Sequence, residues 1–273
     1  MKVEDVKVKK ERLKTQIKER LETILKIEDR VKSNAKAIAN GDVSPFFLNL
    51  LGNKVTLYGK VGHSISTTFG MSFYEQVCKI LADEVGYEVK LQHTISGEVN
   101  EETSKYLDKT LESKNYKANR NDELKEIRNL VTPGEVVTHP DSTVDVFIKT
   151  PEGVEYYIDI TTVKPNKKEF RVLKRKLLRW TAMRLSINKD ADVRAYIAIP
   201  YNPEAIQDPS CTEYSRFSTY YDRKDLLVGN ELWGLVSNNS FDIMDMISIF
   251  QDLNKRVEEK VNNELELALK LKA

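Results

Sequence analysis

The sequence predicts an α/β fold, a mixed central β-sheet flanked by helices, with helical additions at both ends. Three observations carry that expectation. The stretch "STVDVFIKT", the turn "PEG" and "VEYYIDITTV" (residues 142–163) alternate in character as the two strands of a β-hairpin do. A helical stretch from about Lys167 to Leu185 follows and leads into the strand "DVRAYIAIP". In that β-β-α-β order, the strands before and after the helix can pair in parallel through a right-handed crossover.

The remaining elements follow from periodicity. Residues 1–37 are charged, with Leu13, Ile17, Leu21, Ile24 and Leu25 at helical spacing, which predicts one long amphipathic helix. A further helix begins at Phe69; Tyr74, Val77, Cys78, Leu81 and Val85 form its apolar stripe, Gly86 stops it, and Glu75 lies off the stripe. Residues 95–130 are polar and poor in β-branched side chains, so surface helices and loops are expected there rather than core. Ile243, Met246, Ile247, Phe250, Leu253 and Val257 mark a C-terminal amphipathic helix. With no repeat and no linker-like tract, the expected organisation is a helical segment over 1–57 and one domain over 58–273, carrying a polar insertion at about 95–130.

Composition narrows the function classes. The 273 residues hold 43 basic and 42 acidic side chains, so no bulk field attracts a polyanion or a membrane, and any such attraction must be local. Cys78 and Cys211 are far apart, which argues against a disulfide framework or a cysteine-based metal site. No window approaches the ~20 apolar residues of a membrane span, and the N-terminus lacks an apolar signal core. A cytoplasmic protein without a membrane partner is expected.

Chemistry concentrates on the hairpin. Asp145 and Asp159 each sit mid-strand across the tight turn, so the hairpin can bring both carboxylates to one sheet surface. Two such acids in a low dielectric repel each other unless a cation lies between them. Oxygen ligands without His or Cys suit Mg²⁺, and Mg²⁺ with two carboxylates suits a phosphodiester substrate. The helix that follows supports this: residues 164–184 carry nine basic side chains (Lys164, Lys167, Lys168, Arg171, Lys174, Arg175, Lys176, Arg179 and Arg184) against the one acid Glu169. Lys168, Arg171, Arg175 and Arg179 recur along one face, where they can meet DNA phosphates, while Phe170, Leu173, Leu177 and Trp180 point to the core. His63, His93 and His139 are scattered without ligand spacing and receive no role.

A carboxylate after "HPDSTVD", a hairpin, a second strand carboxylate and a nearby lysine resemble the PD-(D/E)XK nuclease superfamily. The run "DITTVKPNKKEFRVLKRKLLRWTAMRLS", with "AIPYNP", "RFSTYYDRKDLLVGNELW" and "TTFGMSFYEQVCKILA", is similar to the TdeIII-type group of type II restriction endonucleases over roughly residues 58–250. That resemblance implies a Mg²⁺-dependent endonuclease cutting both strands of a short palindromic site of the GGNCC kind. Two active sites related by the DNA dyad then imply a homodimer, with a cognate DNA methyltransferase as genetic partner.

Carried over by position, Asp145 matches the first acid of the motif, Asp159 the second, and Glu75 the helical acid that many superfamily members use beside the metal; Asp141 is the alternative first acid. The motif's lysine position is occupied by Thr161. Lys164 can replace it if the strand bulges, and Lys149 on the partner strand is the rival. Base readout is expected from "RFSTYYDRKD", where Arg216 and Arg223 can each donate two hydrogen bonds to guanine. The competing expectations are a DNA-binding protein on a degenerate nuclease fold, suggested by Thr161, and a repair nuclease of the same superfamily.

Overall fold

A computed structural model describes residues 3–113, 116–132, 142–161, 164–205, 207–216 and 221–270. The chain divides into two compact units, one made of Met1–Tyr74 with Asp245–Ala273, the other of Glu75–Met244.

The first unit is helical. Helix α1 (Val3–Leu25) buries Leu13, Ile17, Leu21 and Leu25, a four-residue spacing that lines one face. The single helix expected over 1–37 is two, because Lys26 adopts a left-handed conformation (φ +40°) and α2 (Ile27–Ala39) starts anew. Arg30 explains why the break is stable: its guanidinium donates to the carbonyls of Leu25 (2.6 Å) and Ile24 (3.2 Å), which the end of α1 leaves without helical partners. The same group donates to Ser64 O (2.9 Å) and Thr68 Oγ1 (2.6 Å) on α3 (Pro45–Thr68). Residues 45–57 of α3 fall within the helical segment expected over 1–57, but no periodicity marks them, since the apolar residues do not fall on one buried stripe; Gly52 interrupts the helix with φ +70°. A π-helical turn (Phe69–Phe73) ends this part, and α9 (Ile243–Lys270) returns to the unit with Met246, Ile249 and Leu253 buried.

The second unit holds a five-stranded mixed sheet, as the sequence predicts. After α4 (Tyr74–Glu84), strand β1 (Glu88–Thr94) pairs antiparallel with β2 (Thr143–Lys149), which pairs antiparallel with β3 (Glu155–Ile160). Strand β4 (Val193–Ile199) pairs parallel with β3 and with β5 (Leu226–Val228), and the strand order is β1-β2-β3-β4-β5. The β3–β4 crossover is α7 (Lys167–Ile187), opened by a capping box in which Asn166 and Glu169 exchange hydrogen bonds. Its Phe170, Leu177 and Trp180 are buried against the sheet side, and α8 (Asn230–Ser237) packs on β5. Helices α5 (Glu101–Glu112) and α6 (Arg120–Leu130) pack on α7 and bury Leu107, Leu111 and Ile127, so the 95–130 stretch contributes core as well as surface. Among the described residues no helix is long and apolar enough to cross a membrane.

Candidate active site

Three strands place three polar side chains on one rung of the sheet. The β2–β3 register pairs Val146 with Ile158, so the next residues out, Asp145 and Asp159, face each other across the end of that ladder. There the Asp145 side chain takes over a backbone donor, accepting the Ile160 N–H at 2.8 Å. On the other side, Leu91 pairs with Val146 and His93 with Val144, which sets Gln92 opposite Asp145.

Gln92 has φ +49° in the middle of a strand, a conformation that a residue with a side chain adopts only when its surroundings hold it there. Its amide donates to Glu75 Oε2 (3.0 Å) and to Asp145 Oδ1 (3.4 Å). Glu75, buried in the first turn of α4, thereby joins the two aspartates.

The fourth participant comes from α7. Lys176 forms an ion pair with Asp159 Oδ1, and its ammonium also lies 5.2 Å from the centre of the Trp180 ring. Asp159 is nearly fully buried; burial raises its pKa to about 6, with Lys176 opposing that rise and the Asp145 charge adding to it. Burial also raises Asp145, against the Ile160 N–H, Lys176 and Gln92, all of which favour its charged form. Glu75 is raised by burial and by both aspartates, with the Gln92 hydrogen bond acting the other way. Four side chains thus converge from α4, β2, β3 and α7, with the Gln92 amide bridging two of them. Among the described residues no group of three or more His, Cys, Asp or Glu side chains forms a ready-made metal cluster.

The family model described as type II restriction endonuclease, HinfI, matches residues 9–254. The chain belongs to the HinfI family of type II restriction endonucleases. Similar members include the type II restriction enzyme MjaII of Methanocaldococcus jannaschii, 26% identical over 255 residues that cover 82% of this chain and 67% of that protein. The type II restriction enzyme HgiCII of Herpetosiphon aurantiacus is 22% identical over 232 residues, 83% of each chain. No solved structure matches. The resemblance to type II restriction endonucleases is thereby borne out at family level; these matches do not carry the narrower TdeIII-type assignment.

In this HinfI-family chain, Asp145, Asp159 and Glu75 come together as the sequence placed them, whereas the lysine does not. Lys164 lies exposed on a bend after β3, and Lys149 is directed at Glu155 (3.9 Å). The lysine on Asp159 is Lys176, which the sequence reading had counted only among the nine basic residues. A signal was available: Lys176 falls three residues after Leu173 and four before Trp180, inside the core-facing stripe, where an unpartnered charge is costly. Asp141 lies outside the described residues, as do His139 and residues 217–220 of "RFSTYYDRKD".

The basic stripe is divided by its contacts. Lys168 is exposed, but Arg171 donates to the Leu111 carbonyl at the end of α5 (2.9 Å) and Arg175 pairs with Asp108 on the same helix (3.5 Å). Arg179 is half-buried on α7. Arg216 donates to the Pro165 carbonyl (3.2 Å). Arg223 is tied to both Glu231 oxygens (2.7 and 2.8 Å), to Thr212 O (3.0 Å) and to Leu226 O (3.3 Å), a loop ion pair made with Glu231 rather than with its neighbour Asp222.

Proposed function

We propose that this family member is a Mg²⁺-dependent endonuclease that cuts both strands of a short palindromic DNA site as a homodimer, with Asp145 and Asp159 as the metal-holding acids. The observation that carries the reading is the facing of Asp145 and Asp159 on adjacent strands with Lys176 and Glu75 converging on them. The donor set fits the ion: all oxygen, two carboxylates whose burial and mutual repulsion a cation relieves, and room in the ligand count for water and phosphate oxygens. A divalent cation bound there supplies Lewis-acid polarisation of a phosphate oxygen and a more acidic attacking water.

The chain's own groups supply the rest. Lys176 holds a positive charge beside Asp159, where it can orient the attacking water and hydrogen-bond a phosphate oxygen. Glu75, whose pKa burial raises, stands where its carboxylate can hold a water, and Gln92 fixes that carboxylate relative to Asp145. A lysine paired with Asp159 supports an active nuclease over the degenerate fold that Thr161 suggests. Lys164 and Lys168 are assigned to phosphate contacts. A GGNCC-like site, inherited from the TdeIII-type resemblance, is the first sequence to try, and a DNA methyltransferase gene encoded beside this one would favour restriction over repair.

The test is digestion of phage DNA with and without Mg²⁺. Discrete fragments that vanish with chelator are expected from the wild type, and Asp159→Ala should bind DNA without cutting it. Wild-type cleavage by Asp159→Ala sinks the site assignment.

A further inference from the structure

The start of α3 is apolar on its outside. Phe46 is 83% exposed and Leu50 79%, with Phe47 at 58%, Val55 at 55%, Leu51 at 44% and Tyr58 at 39%. Across "PFFLNLLGNKVTLYG" (residues 45–59) there is one charged side chain, Lys54, in a chain that is 31% charged. Isolated exposed apolar residues need no explanation, but six on one segment form a patch of the size that marks an interaction surface.

We infer that this patch is the surface through which two copies of the chain pair. The inference rests on the dimeric cleavage proposed above and adds where the dimer forms. Two features select a second copy as the occupant. The first is area: with aromatic side chains of roughly 150–250 Å², the six residues expose on the order of 600 Å² per copy, so a symmetric pairing removes on the order of 1,200 Å², within the range of specific interfaces. The second is shape. Phe47, Leu51 and Val55 line a groove between α2 and α3, together with Arg30 and Asn34, whereas Phe46 and Leu50 lie outside that lining. A patch that carries both a recess and protruding side chains can be its own complement, which a two-fold interface requires because the same surface serves both partners.

Sedimentation of the full chain tests this. The wild type should run at twice the chain mass. Phe46→Ser with Leu50→Ser should raise the dimer dissociation constant by about 100-fold or more while leaving the circular dichroism of the folded chain in place, since neither side chain is buried within one copy. Val8→Ser, another exposed apolar residue of the same unit, should change nothing. A monomeric wild type, or a double variant that dimerises like the wild type, overturns the assignment. So does co-sedimentation of the wild type with anionic phospholipid vesicles that the double variant loses, because the patch would then be a lipid face. A plasmid assay on the same samples separates the two proposals: the double variant should nick where the wild type linearises. A dimer that the variant dissociates, but that linearises plasmid equally well in either state, upholds the surface and overturns dimeric cleavage.

Discussion

Lys176 and Asp159 form a pair whose two members should fail differently. Lys176→Met removes the charge beside the acid but leaves both aspartates able to hold metal, so the single-turnover cleavage rate should fall by about 10²-fold or more while DNA binding persists. Lys164→Ala should leave that rate near the wild-type value; the reverse pattern would return the lysine role to Lys164. Asp159 also makes a stability prediction in chelator. Its folded pKa of about 6 lies above the ordinary 3.8, so the folded state holds the proton more tightly than the unfolded chain. The penalty for ionising it is therefore absent below about pH 4, grows through the interval, and is complete above about pH 7. Asp159→Asn, which mimics the neutral acid, should be more stable than the wild type by ~1–3 kcal/mol at pH 8, an advantage that closes on acidification. Denaturation curves across pH check this, and a difference that does not vary with pH refutes it. At this scale the sequence singled out Asp145 and Asp159 as candidates, because a carboxylate inside a strand is conspicuous, whereas Glu75, on α4, came only through the resemblance. Lys176 left only the indirect mark of a charge inside the core-facing stripe, and Gln92 left none, since it meets Asp145 from a strand 53 residues away in the chain.

Two positions before Lys176, Lys174 points the other way, because two helical residues are separated by about 200°. It is fully buried between Glu123 on α6 (2.5 Å) and Asp225 at the entry to β5 (2.6 Å), and so joins three elements. Tyr116 donates to the other Glu123 oxygen (2.5 Å), and the Asp222 N–H to Asp225 (2.9 Å). A buried ion triad is weak evidence of net stabilisation, but removing one member leaves uncompensated charge. Lys174→Met should therefore lower stability by about 3–5 kcal/mol, measured by denaturant unfolding, while Lys176→Met loses far less; equal losses would contradict the division. Local period decides which elements the sequence shows. The hairpin, α7 and β4 carry strong periods and were read, and α5 and α6 were expected as polar surface because their core contribution includes a paired acid. Strand β5 has three residues, too few for any period, and β1 alternates only between exposed and half-buried positions. The α1–α2 break depends on Arg30 meeting carbonyls and α3, a tertiary contact without a local sequence mark.

Over the whole molecule the charge nearly cancels, at net +1, and the basic excess of residues 164–184 looked like the DNA-facing exception. The fold reassigns most of it. Lys174 lies between two buried acids, Lys176 lies on Asp159, Arg184 grips Glu155 with two hydrogen bonds (2.7 and 2.9 Å), and Arg171 and Arg175 hold α5. Exposed lysines of this group lie instead around the start of α7, with Lys164 four residues after the end of the strand that carries Asp159 and Lys168 in the first turn of the helix. A phosphate contact there positions the duplex without reading its bases. Lys168→Ala should therefore weaken binding to cognate and non-cognate duplexes about equally, and should flatten the slope of log affinity against log salt by roughly one unit. Arg175→Ala, in contrast, breaks a contact within the protein and should leave that slope unchanged while loosening α5. Binding titrations over a range of salt concentrations distinguish the two. A slope that drops for Arg175→Ala and not for Lys168→Ala would restore the helix face as the DNA surface and move the polyanion contact away from the start of α7.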